Sequence, residues 1–275
     1  MNYNRTDLTK SPKQIVKDVI ESVSSQLLIP PQYSGNELGI GELLSKKKSI
    51  GLYSSGSTDN PKCIWNSFEN LVKNGKRTSN AFEISSDHKL LILAKPWHVA
   101  GLSWAIMAEE IGCNYDFITT KKDESKKWLE AIQLFQPDYL LTVPPVFRAL
   151  YNKDWFIKNI VTGGTPLVQE DFEPLKNHCE TIFHGYGQTE AGGLISVLKH
   201  NISDEYHNKL HQNCGQPIEG VSLETRKSKK GESEIFIKSE TAYINKLYNS
   251  GDLGHIDNGH IYLTGRREKI ISSKG

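Results

Sequence analysis

Apolar residues recur at Ile15, Val16, Val19, Ile20 and Val23, a spacing that predicts a helix over 11–25, with Ser11 and Pro12 suited to its N-cap and first-turn positions. The next stretch, 29–41, holds Pro30, Pro31, Gly35, Gly39 and Gly41 and reads as a loop. From residue 49 the pattern alternates. Short apolar runs predict strands over 49–54, 89–94, 115–119, 138–143, 159–162 and 181–183. Helical spacing predicts helices over 64–75, 101–111, 124–135, 146–151 and 166–178. This alternation predicts an α/β fold, a mostly parallel sheet flanked by helices, over 49–198. After 198 the character changes to short strands and turns, at 221–225, 234–238, 254–257 and 260–263, and predicts a small β-rich subdomain over 199–264. Asp257-Asn258-Gly259-His260 is a hairpin signal, because Asn and Gly accept positive φ. Residues 1–48 form a short N-terminal segment.

Charge changes this picture little. Lys and Arg total 33 against 32 Asp and Glu, a net charge of +1, so no general attraction to nucleic acid or to an anionic membrane is expected. The basic run 226–230 reads as a solvated turn. No apolar run reaches the roughly 18 residues that span a bilayer, and residues 1–10 lack the apolar core of a secretory signal. Cys63, Cys113, Cys179 and Cys214 form no C-x-x-C pair and read as separate reduced thiols of a cytoplasmic protein.

Four segments carry candidate chemistry. Tyr53-Ser54-Ser55-Gly56-Ser57-Thr58-Asp59-Asn60-Pro61-Lys62 follows a strand; its small residues leave backbone N–H groups free for phosphate oxygens, its hydroxyls add donors, and Lys62 adds positive charge. Read alone, it is equally a Ser-rich surface turn, and it lacks the spacing of a Walker A loop. Gly185-Tyr186-Gly187-Gln188-Thr189-Glu190 offers a ring for a base, a tight turn at Gly187, a hydroxyl for phosphate at Thr189 and a carboxylate at Glu190 for Mg²⁺, or is a Gly-rich turn after a strand with an exposed acid. Ser250-Gly251-Asp252-Leu253-Gly254 places a carboxylate that can accept two ribose hydroxyls, or merely leads a turn between strands. Gly265-Arg266-Arg267-Glu268-Lys269-Ile270-Ile271-Ser272-Ser273-Lys274-Gly275 carries a cation at Arg266 that, read alone, is a surface charge.

In order and spacing these segments resemble the motifs of the adenylate-forming, acyl-CoA synthetase superfamily. The first is similar to its Ser/Thr/Gly phosphate loop, with Asp59 and Cys63 where the family usually has Gly. The second matches G-Y-G-x-T-E at every fixed position. Ser250–Gly254 is similar to T-G-D-L-G, and residues 265–275 to a hinge motif with Lys269 at the hinge position. Thr162-Gly163-Gly164-Thr165-Pro166-Leu167 resembles a further family segment whose backbone borders adenine and the acyl pocket. Pro96-Trp97-His98-Val99-Ala100-Gly101-Leu102 resembles the segment that lines the acyl pocket and the thiol channel, making His98 a candidate gate or, alternatively, a helix cap or core residue. Trp97 and Trp104 narrow that pocket or fill core.

The resemblance implies a two-step acid–thiol ligase that uses ATP and Mg²⁺ to adenylate a small carboxylic acid and then transfers the acyl group to CoA. Compact members such as the o-succinylbenzoate–CoA ligases are the nearest pattern. It implies catalytic roles for Lys62, Thr189, Glu190 and His98, with Glu190 as metal ligand. It implies nucleotide contacts from Ser54, Ser55, Gly56, Ser57, Thr58, Gly163, Gly164, Thr165, Tyr186, Gly187, Asp252 and Arg266. Two other readings stay open: loading of a carrier protein, and a non-catalytic nucleotide or acyl-adenylate binding module. Relative to the family, the segment before the phosphate loop is short, and the C-terminal domain bearing the adenylation lysine is expected to be absent from this chain or supplied by another.

Overall fold

A computed structural model describes residues 3–33, 47–54, 62–118, 124–206, 209–229 and 231–267. In chain order, β1 (Tyr3–Arg5), α1 (Pro12–Glu21), β2 (Ser25–Leu27), β3 (Ser49–Tyr53), β4 (Cys63–Ser67) and α2 (Phe68–Ala81) come first. Next come β5 (Lys89–Ile92), α3 (Val99–Ile111), β6 (Asn114–Phe117), α4 (Ser125–Phe135), β7 (Tyr139–Thr142) and α5 (Pro144–Arg148). They are followed by β8 (Ile157–Gly163), the single turn α6 (Phe172–Leu175), β9 (Cys179–Gln188), β10 (Gly193–Asn201) and β11 (Gln216–Pro217). The last four strands are β12 (Val221–Lys227), β13 (Ser233–Ser239), β14 (Tyr248–Asp257) and β15 (His260–Arg266).

The central sheet runs β11-β10-β9-β8-β7-β5-β6. From β6 to β9 every pairing is parallel, and β10 and β11 add an antiparallel edge. Strand alternation sends Leu90, Ile92, Leu141, Val161 and Phe183 to one face, where α1, α2 and α3 cover them. It sends Leu91, Leu93, Leu140, Ile160 and Ile182 to the other, under α4, α5 and α6. Burial on both faces is what a parallel sheet requires, and it explains why its strands read as continuous apolar runs. α3 is apolar nearly all round and buried from Gly101 to Ala108, as the middle layer of a packed face should be. A second sheet, β1-β2-β3-β4, flanks this core, and β12-β13-β14-β15 forms a separate antiparallel sheet. The predicted hairpin turn is there, with φ of 47° at Asn258 and 79° at Gly259.

Three local differences from the sequence pattern have physical causes. The helix expected over 64–75 is a strand followed by a helix. Ile64 and Trp65 pair with Leu52 and Gly51 of β3, and the α2 helix starts only after Ser67, whose hydroxyl accepts from the Asn70 N–H. Helix α1 stops at Glu21, leaving Val23 94% exposed. The helix expected over 166–178 narrows to a 3₁₀ turn, Gln169–Asp171, running into the α-helical turn Phe172–Leu175; it starts late because the Asp171 carboxylate accepts from the Val168 N–H and fixes the helix entrance there.

The antiparallel sheet is clamped to α2. Lys73 and Arg77 both reach Glu240, just after β13, at 2.7 Å, and the Asn74 amide donates to Thr241 Oγ1 at 3.4 Å. The hydrogen bonds from Lys73 and Arg77 hold the Glu240 carboxyl down from 4.5 to about 2. A depressed carboxyl stabilises the fold above its unfolded value and loses that contribution as pH falls through its folded value. Acid unfolding of the wild-type chain is therefore expected to include a step between about pH 4.5 and 2 that Glu240→Gln flattens; superimposable acid titrations would show that the clamp contributes nothing. Among the described residues, no helix is long and apolar enough to cross a membrane.

Candidate active site

Strand order places the site. β5 is followed in the chain by its neighbour β6 on one side, and the chain then crosses to β7 on the other. In open α/β sheets, such a switch leaves a crevice outside the carboxyl ends of the strands. A cavity of ≈ 390 Å³ lies there. The ends of β5, β7, β8 and β9 contribute Ala94, Thr142, Gly163 and Gly187 to its wall, and Ser54, His98, Thr189, Glu190 and Arg266 reach it from neighbouring segments.

Glycines make the floor. Gly163 and Gly185 face each other across β8 and β9, and a Cβ on Gly163 would lie 2.4 Å from the Gly185 carbonyl oxygen. Gly164 turns the chain away with φ of 72°, a conformation glycine adopts freely. His98 sits at the N-cap of α3 without making a side-chain cap bond, so the capping role is not used; its ring lines the cavity instead. Burial, with a smaller effect from Lys95, pushes its pKa below 6.5, so the ring is neutral near pH 7. Ser54 and Lys62 are joined at the mouth of the β3–β4 turn, Ser54 N–H donating to the Lys62 carbonyl at 2.9 Å. Thr189 is buried, and its carbonyl accepts from the Asn66 amide at 3.0 Å. The half-buried Glu190 has no ion pair among the described residues and faces the cavity.

The ring of Tyr186 departs from the expectation that it offers a flat face to a base. It is 6% exposed and packs with Ala191, Ile195, Ile235 and Ile237. The cause is strand alternation: Gly185 and Gly187 face the cavity, so the residue between them faces the other way. Burial, reinforced by the neighbouring Asp252 charge, pushes the phenol far up, and it donates to Asp252 Oδ2 at 2.7 Å. Gln188 Nε2 donates to the same oxygen at 2.6 Å and to the Ser250 carbonyl at 3.1 Å. Asp252 is thereby held just behind the cavity wall, with Oδ1 turned to Arg266 Nε at 3.8 Å. The structure brings Ser54, Lys62, His98, Gly163, Gly164, Thr165, Gly187, Thr189, Glu190, Asp252 and Arg266 into and around one cleft. Ser55, Gly56, Ser57, Thr58 and Lys269 lie outside the described residues.

Sequence reasoning missed Gln188, Asn66 and Asn74. Gln188 occupies the variable position of its motif, and the two asparagines bind backbone 120 or more residues away, which no local pattern signals. Phe82, buried at the C-cap of α2, also lines the cavity unannounced.

Residues 49–239 match the family model of the AMP-binding enzymes. This chain belongs to the AMP-binding enzyme family. The matched span contains Ser54 through Glu190 and ends before Asp252 and Arg266. Among relatives in the family, a 2-succinylbenzoate–CoA ligase of Enterococcus faecalis is 23% identical over 95% of this chain and 58% of its own length. A 3,4-dihydroxybenzoate–[aryl-carrier protein] ligase of Bacillus anthracis is 24% identical over 84% of this chain and 54% of its own. The chain thus spans little more than half the length of these relatives. The o-succinylbenzoate–CoA synthetase of Bacillus subtilis, solved with ATP and a magnesium ion, superposes with a TM-score of 0.77 at 17% identity, covering 97% of this chain and 69% of that one. At that identity the likeness shows the shared AMP-binding fold.

Proposed function

We propose that this protein adenylates a carboxylic acid and passes the acyl group to the thiol of CoA. The observation that carries the reading is one cleft whose lining joins a glycine floor, Thr189, Glu190, His98 and Arg266 to an apolar wall. In the first step a carboxylate oxygen attacks the α-phosphorus of ATP, the bond to the bridging oxygen breaks, and pyrophosphate leaves. In the second, a thiolate attacks the acyl carbon and AMP leaves. Neither step needs a protein nucleophile; both need positioning and charge stabilisation.

Thr189 is assigned to an α-phosphate oxygen and Arg266 to ribose or phosphate. Asp252, its Oδ2 taken by Tyr186 and Gln188, keeps Oδ1 for a ribose hydroxyl. His98, neutral, borders the route a thiol would take. Lys62 and the Ser54–Thr58 loop are assigned to the outer phosphates. Among the described residues no cluster of three His, Cys, Asp or Glu forms a metal cage. A lone carboxylate such as Glu190, completed by phosphate oxygens and water, is the donor set Mg²⁺ usually takes from nucleotide sites. Mg²⁺ held there by Glu190 supplies charge neutralisation on the polyphosphate.

Pyrophosphate exchange into ATP with a panel of acids, with and without a family C-terminal domain supplied in trans, tests the reading. Acid-dependent exchange is expected in the supplemented reaction. Tight ATP binding without exchange in either reaction would make this a binding module instead. The carrier-loading relative motivates a second reading for the acceptor; supplying CoA or a phosphopantetheinyl carrier after adenylation separates the two.

A further inference from the structure

Resting on that reading, the inner end of the cleft narrows the choice of acid. It is walled by Leu141, Val161 and Leu194 and closed by Phe82 and Trp104. The two closing rings lie 5.3 Å apart, and Phe82 is braced from behind by Phe183, which meets it edge-on at 5.4 Å. Phe82 is 1% and Trp104 5% exposed, so this end is a fixed wall. The whole cavity of ≈ 390 Å³, near the lower end of the roughly 300–1,000 Å³ of ligand pockets, must also hold the nucleotide end. That closed, aromatic end favours a flat, compact acyl group over the glycine floor.

Two hydroxyls give this end its polarity. Thr78 Oγ1 donates to Asn74 Oδ1 at 3.3 Å, and Ser103 Oγ donates to the Ala100 carbonyl at 3.3 Å. With its one hydrogen on that acceptor, each hydroxyl turns its lone pairs to the cavity. None of these inner-wall residues is a cation: the lining Lys95 has its Nζ 5.8 Å over the Trp97 ring, and Arg266 ends β15. A second carboxylate here would shed water to face lone pairs and the negative faces of aromatic rings.

We infer that the acid is a compact aromatic monocarboxylate whose ring carries a hydrogen-bond donor, a hydroxyl or amino group, selected by Thr78, Ser103 and Trp104. Calorimetric titration of the full chain with 5′-O-(N-acyl)sulfamoyl-adenosines tests this, using benzoyl, hydroxybenzoyl, succinylbenzoyl and octanoyl forms beside the parent sulfamoyl-adenosine. The best hydroxybenzoyl isomer is expected to bind about tenfold or more tightly than the succinylbenzoyl and octanoyl forms. In the double variant Thr78→Val, Ser103→Ala, the preference for hydroxybenzoyl over benzoyl is expected to vanish while benzoyl and parent affinities hold, which also shows that the variant is folded. Equal or tighter binding of the succinylbenzoyl or octanoyl form, with the parent nucleoside bound, overturns the acid assignment alone. Failure of every compound, the parent included, overturns the nucleotide reading and this inference with it.

Discussion

Asp171→Ala is expected to destabilise the protein by about 3 kcal/mol, the lower end of the range for removing one partner from a buried ion pair because the Arg148 side chain keeps 34% of its surface in solvent, and to lower Tm by about 8 °C. Asp171 is 2% exposed and accepts from Arg148 Nε and Nη2 at 2.6 Å each, from the Val168 N–H at 2.9 Å and from the Tyr151 hydroxyl at 3.1 Å. Burial pushes its carboxyl up, but the Arg148 and Val168 hydrogen bonds outweigh burial and leave it below the usual range. Its contribution is therefore present at neutral pH and lost as pH falls. The consequence reaches the cleft. Arg148 ends the helix after β7, and Val168 follows the Gly163–Thr165 turn after β8, so the pair ties together the two connections that border the floor. Thermal unfolding followed by circular dichroism checks the prediction; a Tm change under about 2 °C would place the pair among contacts of little net worth.

Glu190→Ala is expected to weaken ATP binding in the presence of Mg²⁺ about 100-fold while changing AMP binding less than about threefold. A carboxylate that holds a metal against the outer phosphates matters only for ligands that carry them, and losing one such electrostatic group typically costs a factor of about 10²–10³. Titration of both nucleotides into both proteins, with and without Mg²⁺, makes the comparison. Equal losses for ATP and AMP would remove the metal role and leave Glu190 as a wall residue.

The order of the site segments was legible in the chain because each is a short, local solution to a local problem. Glycines at 163, 185 and 187 leave backbone exposed, Ser and Thr add hydroxyls, and Glu190 and Asp252 supply carboxylates. The alternation of apolar runs and helical spacing likewise carried the parallel core, since a strand buried on both faces must be continuously apolar. Even the inward turn of Tyr186 was available in principle, from the period of two along β9.

Other features depended on partners distant in sequence. Cys63–Ser67 became a strand because β3 supplied an edge for it to pair with. β10 was invisible beforehand because Gly192 and Gly193, both with positive φ, and a register shift between Leu194 and Ser196 break its alternation. Gln188 acquired its role only when β14 brought Asp252 within 2.6 Å, and the closed aromatic end of the cleft exists only because α2 delivers Phe82 to Trp104 of α3. Local sequence determined which chemical groups are present and which segments fold as units; long-range packing decided which of those groups face the cleft, because orientation is set by neighbours that burial, not sequence proximity, brings together.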